Sequence, residues 1–152
     1  MAYVLIADDD ELIAEMACDL LIDEGHACGW VTSGEEAWDL MQKRRPDILL
    51  LDQDMPGISG VSLLRKLRGS AKFYDLPVIM FTAMSGEADE DRAIYAGAQE
   101  YLRKPFTPSG LISRIDRVLA KRGDFGHLDL KTRLAREAGF LDEGSPLERR
   151  LV

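Results

Sequence analysis

Five short runs, most of them strongly apolar, recur along the chain, and each is followed by a segment of helical period. The runs are Tyr3–Ala7, the weaker Ala27–Val31, 47–51 (DILLL), 77–81 (PVIMF) and Glu100–Arg103. Segments this short and apolar on both faces read as strands buried inside a parallel sheet, because crossover helices cover both of its sides. Between them, Leu12, Ile13, Met16, Leu20 and Leu21 fall at three- and four-residue steps over 11–24, with Gly25 as a stop. Ser33 can cap a second helix from Glu35 to about Lys43. Val61, Leu64 and Leu67 mark a third, ended by Gly69. A fourth runs over 88–96 before Gly97. A fifth starts near Pro108 and ends before Gly123, with Leu111, Ile112, Ile115, Val118 and Leu119 inward. The strict alternation of strand and helix predicts an α/β fold: a doubly wound, five-stranded parallel sheet with helices on both faces.

The register changes after Lys121. Residues 123–126 read as a loop, and 129–138 as a short helix with Leu130 and Leu134 on one side and Gly139 as its stop. Ser145-Pro146-Leu147-Glu148 has the form of a capping box. We therefore divide the chain into a domain at 1–122 and a partly helical extension at 123–152, too small for an output domain with its own core. The extension is expected to pack Leu130, Leu134 and Phe140 on its own domain, the alternative being a partner helix. No helix-turn-helix fits the remaining length, so direct DNA binding is not expected.

The net charge of −8 also argues against a general nucleic-acid binder and suits a metal site or a basic protein partner. Cys18 and Cys28, the only cysteines, form no CxxC pair and sit among apolar residues, so they read as buried free thiols of a cytoplasmic protein. No run is long enough to span a bilayer, and no signal peptide is evident. His26 and His127 are isolated and are given no metal role.

The chemistry is carried by acids at strand ends. Asp8, Asp9 and Asp10 follow the first strand, and Asp52 and Asp54 follow the third. Ligands of doubly wound sheets bind beyond the carboxyl ends of the strands. If the first and third strands are neighbours, Asp8, Asp9 and Asp52 meet at one rim and repel unless a cation sits among them. Carboxylate and carbonyl oxygens at a partly open site suit Mg2+, with Mn2+ as the alternative. One such cluster would read as solvated loop acids, or as a helix cap in the case of Asp9 or Asp10; two at related strand ends point to a metal. Thr82 and Lys104 end the fourth and fifth strands, which puts a hydroxyl donor and a cation on the same rim. A phosphorylated carboxylate needs both.

These residues resemble a known family. Leu5-Ile6-Ala7-Asp8-Asp9-Asp10, the stretch from Leu51-Asp52-Gln53-Asp54 to Ser59-Gly60, Phe81-Thr82-Ala83 and Lys104-Pro105-Phe106 resemble, in order and spacing, the four motifs of response regulator receiver domains of two-component signalling. The resemblance covers about 1–122. It implies a flavodoxin-like (βα)5 fold with strand order 2-1-3-4-5. It implies Asp52 as phosphoacceptor, and Asp9, Asp8, Asp52 and the backbone carbonyl of Asp54 around Mg2+. It further implies Thr82 as switch hydroxyl, Lys104 as the partner of the phosphoryl group and a cis Lys104–Pro105 peptide. Tyr101 matches the aromatic that swings inward; its plainer reading is a half-buried strand residue. Asp54 and Met84 match positions that tune dephosphorylation, and Met84 could exclude water and lengthen the phosphoryl lifetime.

The implied partners are a sensor histidine kinase or histidine phosphotransfer protein, a downstream protein met by the fourth helix, fifth strand and fifth helix, and a second copy of the chain upon phosphorylation. Glu87, Asp89, Glu90 and Asp91 read first as acids favouring a helix N-terminus. With Arg114, Arg117 and Lys121 they could instead form a charged dimer face. Such a protein catalyses its own phosphorylation and dephosphorylation without independent substrate turnover. Three other readings stand beside it. Asp52 and Asp54 resemble the D-x-D pair of haloacid dehalogenase-type phosphatases, although Asp8 and Asp9 then precede the pair instead of following it. A flavodoxin-type flavin module would share the topology, but three acids would repel its phosphate. A receiver acting as an unphosphorylated adaptor is the third.

Overall fold

The computed structural model describes residues 1–83 and 87–121. Its elements alternate without exception: β1 (Tyr3–Ala7), α1 (Glu11–Asp23), β2 (Ala27–Val31), α2 (Gly34–Lys43), β3 (Ile48–Leu51), α3 (Gly60–Arg68), β4 (Val78–Thr82), α4 (Glu87–Ala96) and β5 (Glu100–Arg103). A last helix, α5, occupies 108–121. All pairings are parallel and the strand order is β2-β1-β3-β4-β5. β1 therefore lies between β2 and β3, and the order reverses at the β1/β3 edge, the switch point at which such sheets bind ligands. The helix over 129–138, the capping box at Ser145, His127, the packing of Leu130, Leu134 and Phe140, and Met84 lie outside the described residues.

Alternate residues of each central strand feed two cores. Leu5, Ala7, Leu49, Leu51, Val78 and Met80 pack on one face with α2, α3 and α4. Val4, Ile6, Ile48, Leu50, Ile79 and Phe81 pack on the other with α1 and α5. Every residue of β3 and β4 is buried, which is why those strands read as continuous apolar runs. Each buried Leu or Ile contributes about 1.5–3 kcal/mol relative to exposure.

The helix boundaries follow local chemistry. The Ser33 side chain accepts from the Glu36 N–H at 3.1 Å, and Thr32 and Ser33 both donate to the Glu36 carboxylate. α4 stops at Gly97, whose φ of 114° suits a residue without a Cβ.

α1 departs from the expected face. Its buried residues are Ala14, Ala17, Cys18 and Leu21, whereas Leu12 and Met16 are 68% and 51% exposed. The helix is apolar around most of its girth, so spacing alone does not choose a face. The small Ala14 and Ala17 let its backbone come close to the sheet, and that contact decides the rotation. Cys28 is half-buried rather than buried. Among the described residues no helix is long and apolar enough to cross a membrane.

Candidate functional site

The sheet ladder continues one step past the ends of β1, β3 and β5, and so aims three strand ends at one rim. The Asp8 N–H donates to the Val31 carbonyl at 3.0 Å, the Asp52 N–H to the Ala7 carbonyl at 2.9 Å and the Lys104 N–H to the Thr82 carbonyl at 3.0 Å. Carboxylate oxygens of Asp8, Asp9 and Asp52 then lie within 4.8 Å of one another, the one such acidic group among the described residues. Asp8 and Asp52 are buried and Asp9 is exposed.

Lys104 closes the site from β5. Its Nζ lies 2.5 Å from Asp8 Oδ2 and 3.7 Å from Asp52 Oδ2. The other oxygen of Asp8, Oδ1, accepts the Asp10 N–H at 2.9 Å. Asp10 itself turns to α1, accepting from the Ile13 N–H at 3.2 Å as its N-cap, so of the three consecutive acids it alone is spent on the helix. The Lys104–Pro105 peptide is cis.

Asp52 carries the electrostatic tension of the rim. Burial, and then the neighbouring Asp8, push its carboxyl up to about 6, against the opposing pull of Lys104 and a hydrogen bond from Thr82. Burial leads these causes, because it penalises the charged form of the carboxyl. Hard oxygen donors, two of them buried and short of positive charge, fit a small divalent cation with open positions for water.

Thr82 and Tyr101 are both turned inward, at 1% and 6% exposure. Tyr101 is therefore buried and not a half-exposed strand residue. Burial first, and the charge of Asp89 next, raise its phenol. A small cavity beside the two is lined by Gln53, Val61, Asp89 and Arg92, among others.

The loop after β3 is held by residues to which the sequence reading gave no role. The Gln53 side chain accepts the Val61 N–H at 2.7 Å, while its carbonyl accepts the Gly60 N–H at 3.1 Å. Glu35 of α2 accepts the Ile58 N–H at 3.2 Å. A Cβ on Gly60 would fall 2.3 Å from the Asp52 carbonyl oxygen, so a side chain there would push the end of β3 away. Asp54 sits exposed on this loop. A glycine at the start of a helix was the one available signal; the side-chain anchors carry none.

Several charges of the expected dimer face are paired within the chain. Arg103 meets Glu90 at 3.4 Å, and Arg114 and Arg117 meet Glu100 at 3.7 and 3.4 Å.

A five-stranded 2-1-3-4-5 sheet with this acidic rim, a strand-end hydroxyl and a lysine is the architecture of a receiver. Comparison with known proteins agrees: the response regulator receiver domain model matches residues 4–116. The phosphate regulon transcriptional regulatory protein PhoB of Pseudomonas aeruginosa is 36% identical over 120 residues, covering 79% of this chain and 52% of PhoB. The DNA-binding response regulator MtrA of Mycobacterium leprae is 33% identical over 121 residues, covering 80% and 52%. The chain thus spans about half the length of these curated relatives. The chemotaxis response regulator CheY4 of Vibrio cholerae superposes with a TM-score of 0.74 at 30% identity, over 78% of this chain and 98% of that one. The receiver domain of a Francisella response regulator gives 0.74 at 30% identity, over 80% and 98%. The chain belongs to the response regulator receiver family of two-component signalling. That membership sets the receiver reading ahead of the phosphatase and flavin readings.

Proposed function

We propose that the chain is a phosphorylation switch in which Asp52 accepts a phosphoryl group from a phosphohistidine of a sensor kinase or phosphotransfer protein. The observation that carries this is the convergence of Asp8, Asp9, Asp52 and Lys104 at one strand-end rim, with Lys104 Nζ between two carboxylates. Asp8, Asp9, Asp52 and the carbonyl of Asp54 would hold Mg2+, with Mn2+ as a substitute. Bound there, the ion supplies positive charge for the oxygens of the transferring phosphoryl group.

The protein's own residues do the rest. Asp52, near 6, is mostly ionised at neutral pH and presents an oxygen in line with the donor's phosphorus. Lys104 leaves its contact with Asp52 for a phosphoryl oxygen, and Thr82 turns its hydroxyl from the carboxylate to another. Asp54 and Met84 tune water attack on the acyl phosphate and favour a long-lived adduct. Tyr101 is already inward beside Thr82, so phosphorylation deepens an arrangement the unmodified chain can reach. The signal leaves through the surface of α4, β5 and α5 to a downstream protein or a second copy of the chain, in the cytoplasm.

The test is incubation with acetyl phosphate and Mg2+ followed by intact mass. One phosphoryl adduct is expected, absent with chelator and absent in Asp52→Asn. An unmodified wild-type mass would favour the adaptor reading instead.

A further inference from the structure

Away from the rim, the two cysteines that are ten residues apart in sequence meet in space. Cys18 lies on the sheet-facing side of α1 with Ala14, Ala17 and Leu21 and is 5% exposed. Cys28 is the second residue of β2 and lies in register with Val4 of β1. Val4 faces the core that α1 covers, and both cysteines pack in that core. The two thiols lie close enough for each to shift the other's titration, the Cys28 thiol donates to the Gly29 carbonyl at 3.8 Å, and neither cysteine is in a disulfide. Cys28 is half-buried, so a small solute can approach the pair from its side. Both stand toward the start of β2, whereas the acidic rim follows the strands' ends, so phosphoryl chemistry makes no use of them.

We propose that Cys18 and Cys28 form a two-thiol site that peroxide closes reversibly into a disulfide, stapling α1 to β2. The neighbouring Cys28 lowers the Cys18 thiol, whereas Cys18 and burial together raise Cys28. Cys18 is thus the nucleophile and Cys28 the resolving thiol. The Cys18 thiolate attacks one oxygen of hydrogen peroxide, the O–O bond breaks, and the departing hydroxide takes a proton to become water. The Cys28 sulfur, having given up its proton, then attacks the Cys18 sulfenic acid. The S–O bond breaks and a second water leaves. Two electrons pass from the sulfurs to the peroxide, and the products are one disulfide and two waters. The ring so formed runs from Cys18 through the end of α1 and the turn to Cys28 in β2. The device is independent of the phosphoryl reading.

The full chain treated with hydrogen peroxide, quenched with catalase, then denatured and alkylated, tests this. The expected product is a monomer lighter by two hydrogens that takes no alkylating agent, yields one cross-linked peptide joining Cys18 to Cys28, and returns to two free thiols with dithiothreitol. Closure should run at least about tenfold faster in the folded chain than in urea, because folding raises the effective concentration of one thiol at the other. Cys28→Ser, at a half-exposed position that tolerates the change, should lose the cross-link and leave a sulfenic acid on Cys18 that dimedone traps. Two alkylatable thiols after oxidation would overturn the proposal, as would a cross-link found only between chains, sulfinic acid without a cross-link, or equal rates with and without urea.

Discussion

At the residue scale the rim is a set of charges held where burial opposes them. Asp52 is raised from 3.8 to about 6, chiefly by burial and then by Asp8. Its folded value lies above its unfolded one, so between about pH 4 and 6 the folded chain binds more protons than the unfolded chain. Stability from this residue is therefore present at low pH and is lost as pH rises through the folded value. Asp52→Asn removes the charge, so in urea melts it should match wild type near pH 4 and exceed it by on the order of 2 kcal/mol at pH 7. Millimolar Mg2+ should close part of that gap by favouring ionised wild type. A gap of the same size at both pH values would show that Asp52 is not the strained group. Asp8 is fully buried, against Lys104 and the Asp10 N–H. Asp8→Asn keeps the shape and removes one charge. Titration calorimetry should find Mg2+ binding weakened by about tenfold or more, a loss of about 1.4 kcal/mol; unchanged affinity would remove Asp8 from the site.

At the scale of elements, the loop between β3 and α3 is where packing and chemistry share atoms. Gly60 lies against the Asp52 carbonyl, and Gln53 and Glu35 tie the loop to α3 and α2. Gly60→Ala puts a methyl group against backbone that cannot yield as a side chain would. Urea unfolding should show a loss of about 3 kcal/mol, and Mg2+ binding should weaken with it; a loss under 0.5 kcal/mol would mean that the approach is not tight. All five strand–helix pairs were legible in the chain because buried runs and helical spacing differ in period, and Ser33, Gly69 and Gly97 mark ends by local chemistry. The rim residues were legible for a similar reason: strand ends of a parallel sheet point one way, so Asp8, Asp52, Thr82 and Lys104 needed only the strand order to meet. Anything depending on which side of an element faces in was less legible. The rotation of α1 is set by two alanines, and the meeting of Cys18 with Cys28 depends on that rotation. Gln53 and Glu35 act through backbone N–H groups that leave no pattern in a sequence.

At the scale of the whole molecule, the sheet separates two functions. The strand ends collect the acids, while α4, β5 and α5 carry ion pairs at 3.4–3.7 Å that close within the chain. These pairs are partly exposed, and each contributes little to stability. They can exchange partners cheaply, as the proposed signalling surface requires. Tyr101 links the two regions, buried beside Thr82 at one end and followed by Arg103 of the Glu90 pair at the other. The account rests on one aspartate doing the chemistry while its neighbours hold charge around it. The most direct test is borohydride reduction of the phosphorylated chain, which converts an acyl phosphate into homoserine, followed by peptide mass mapping. The account predicts homoserine at position 52 and aspartate intact at 8, 9 and 54; homoserine at any of those three, with Asp52 untouched, would contradict it.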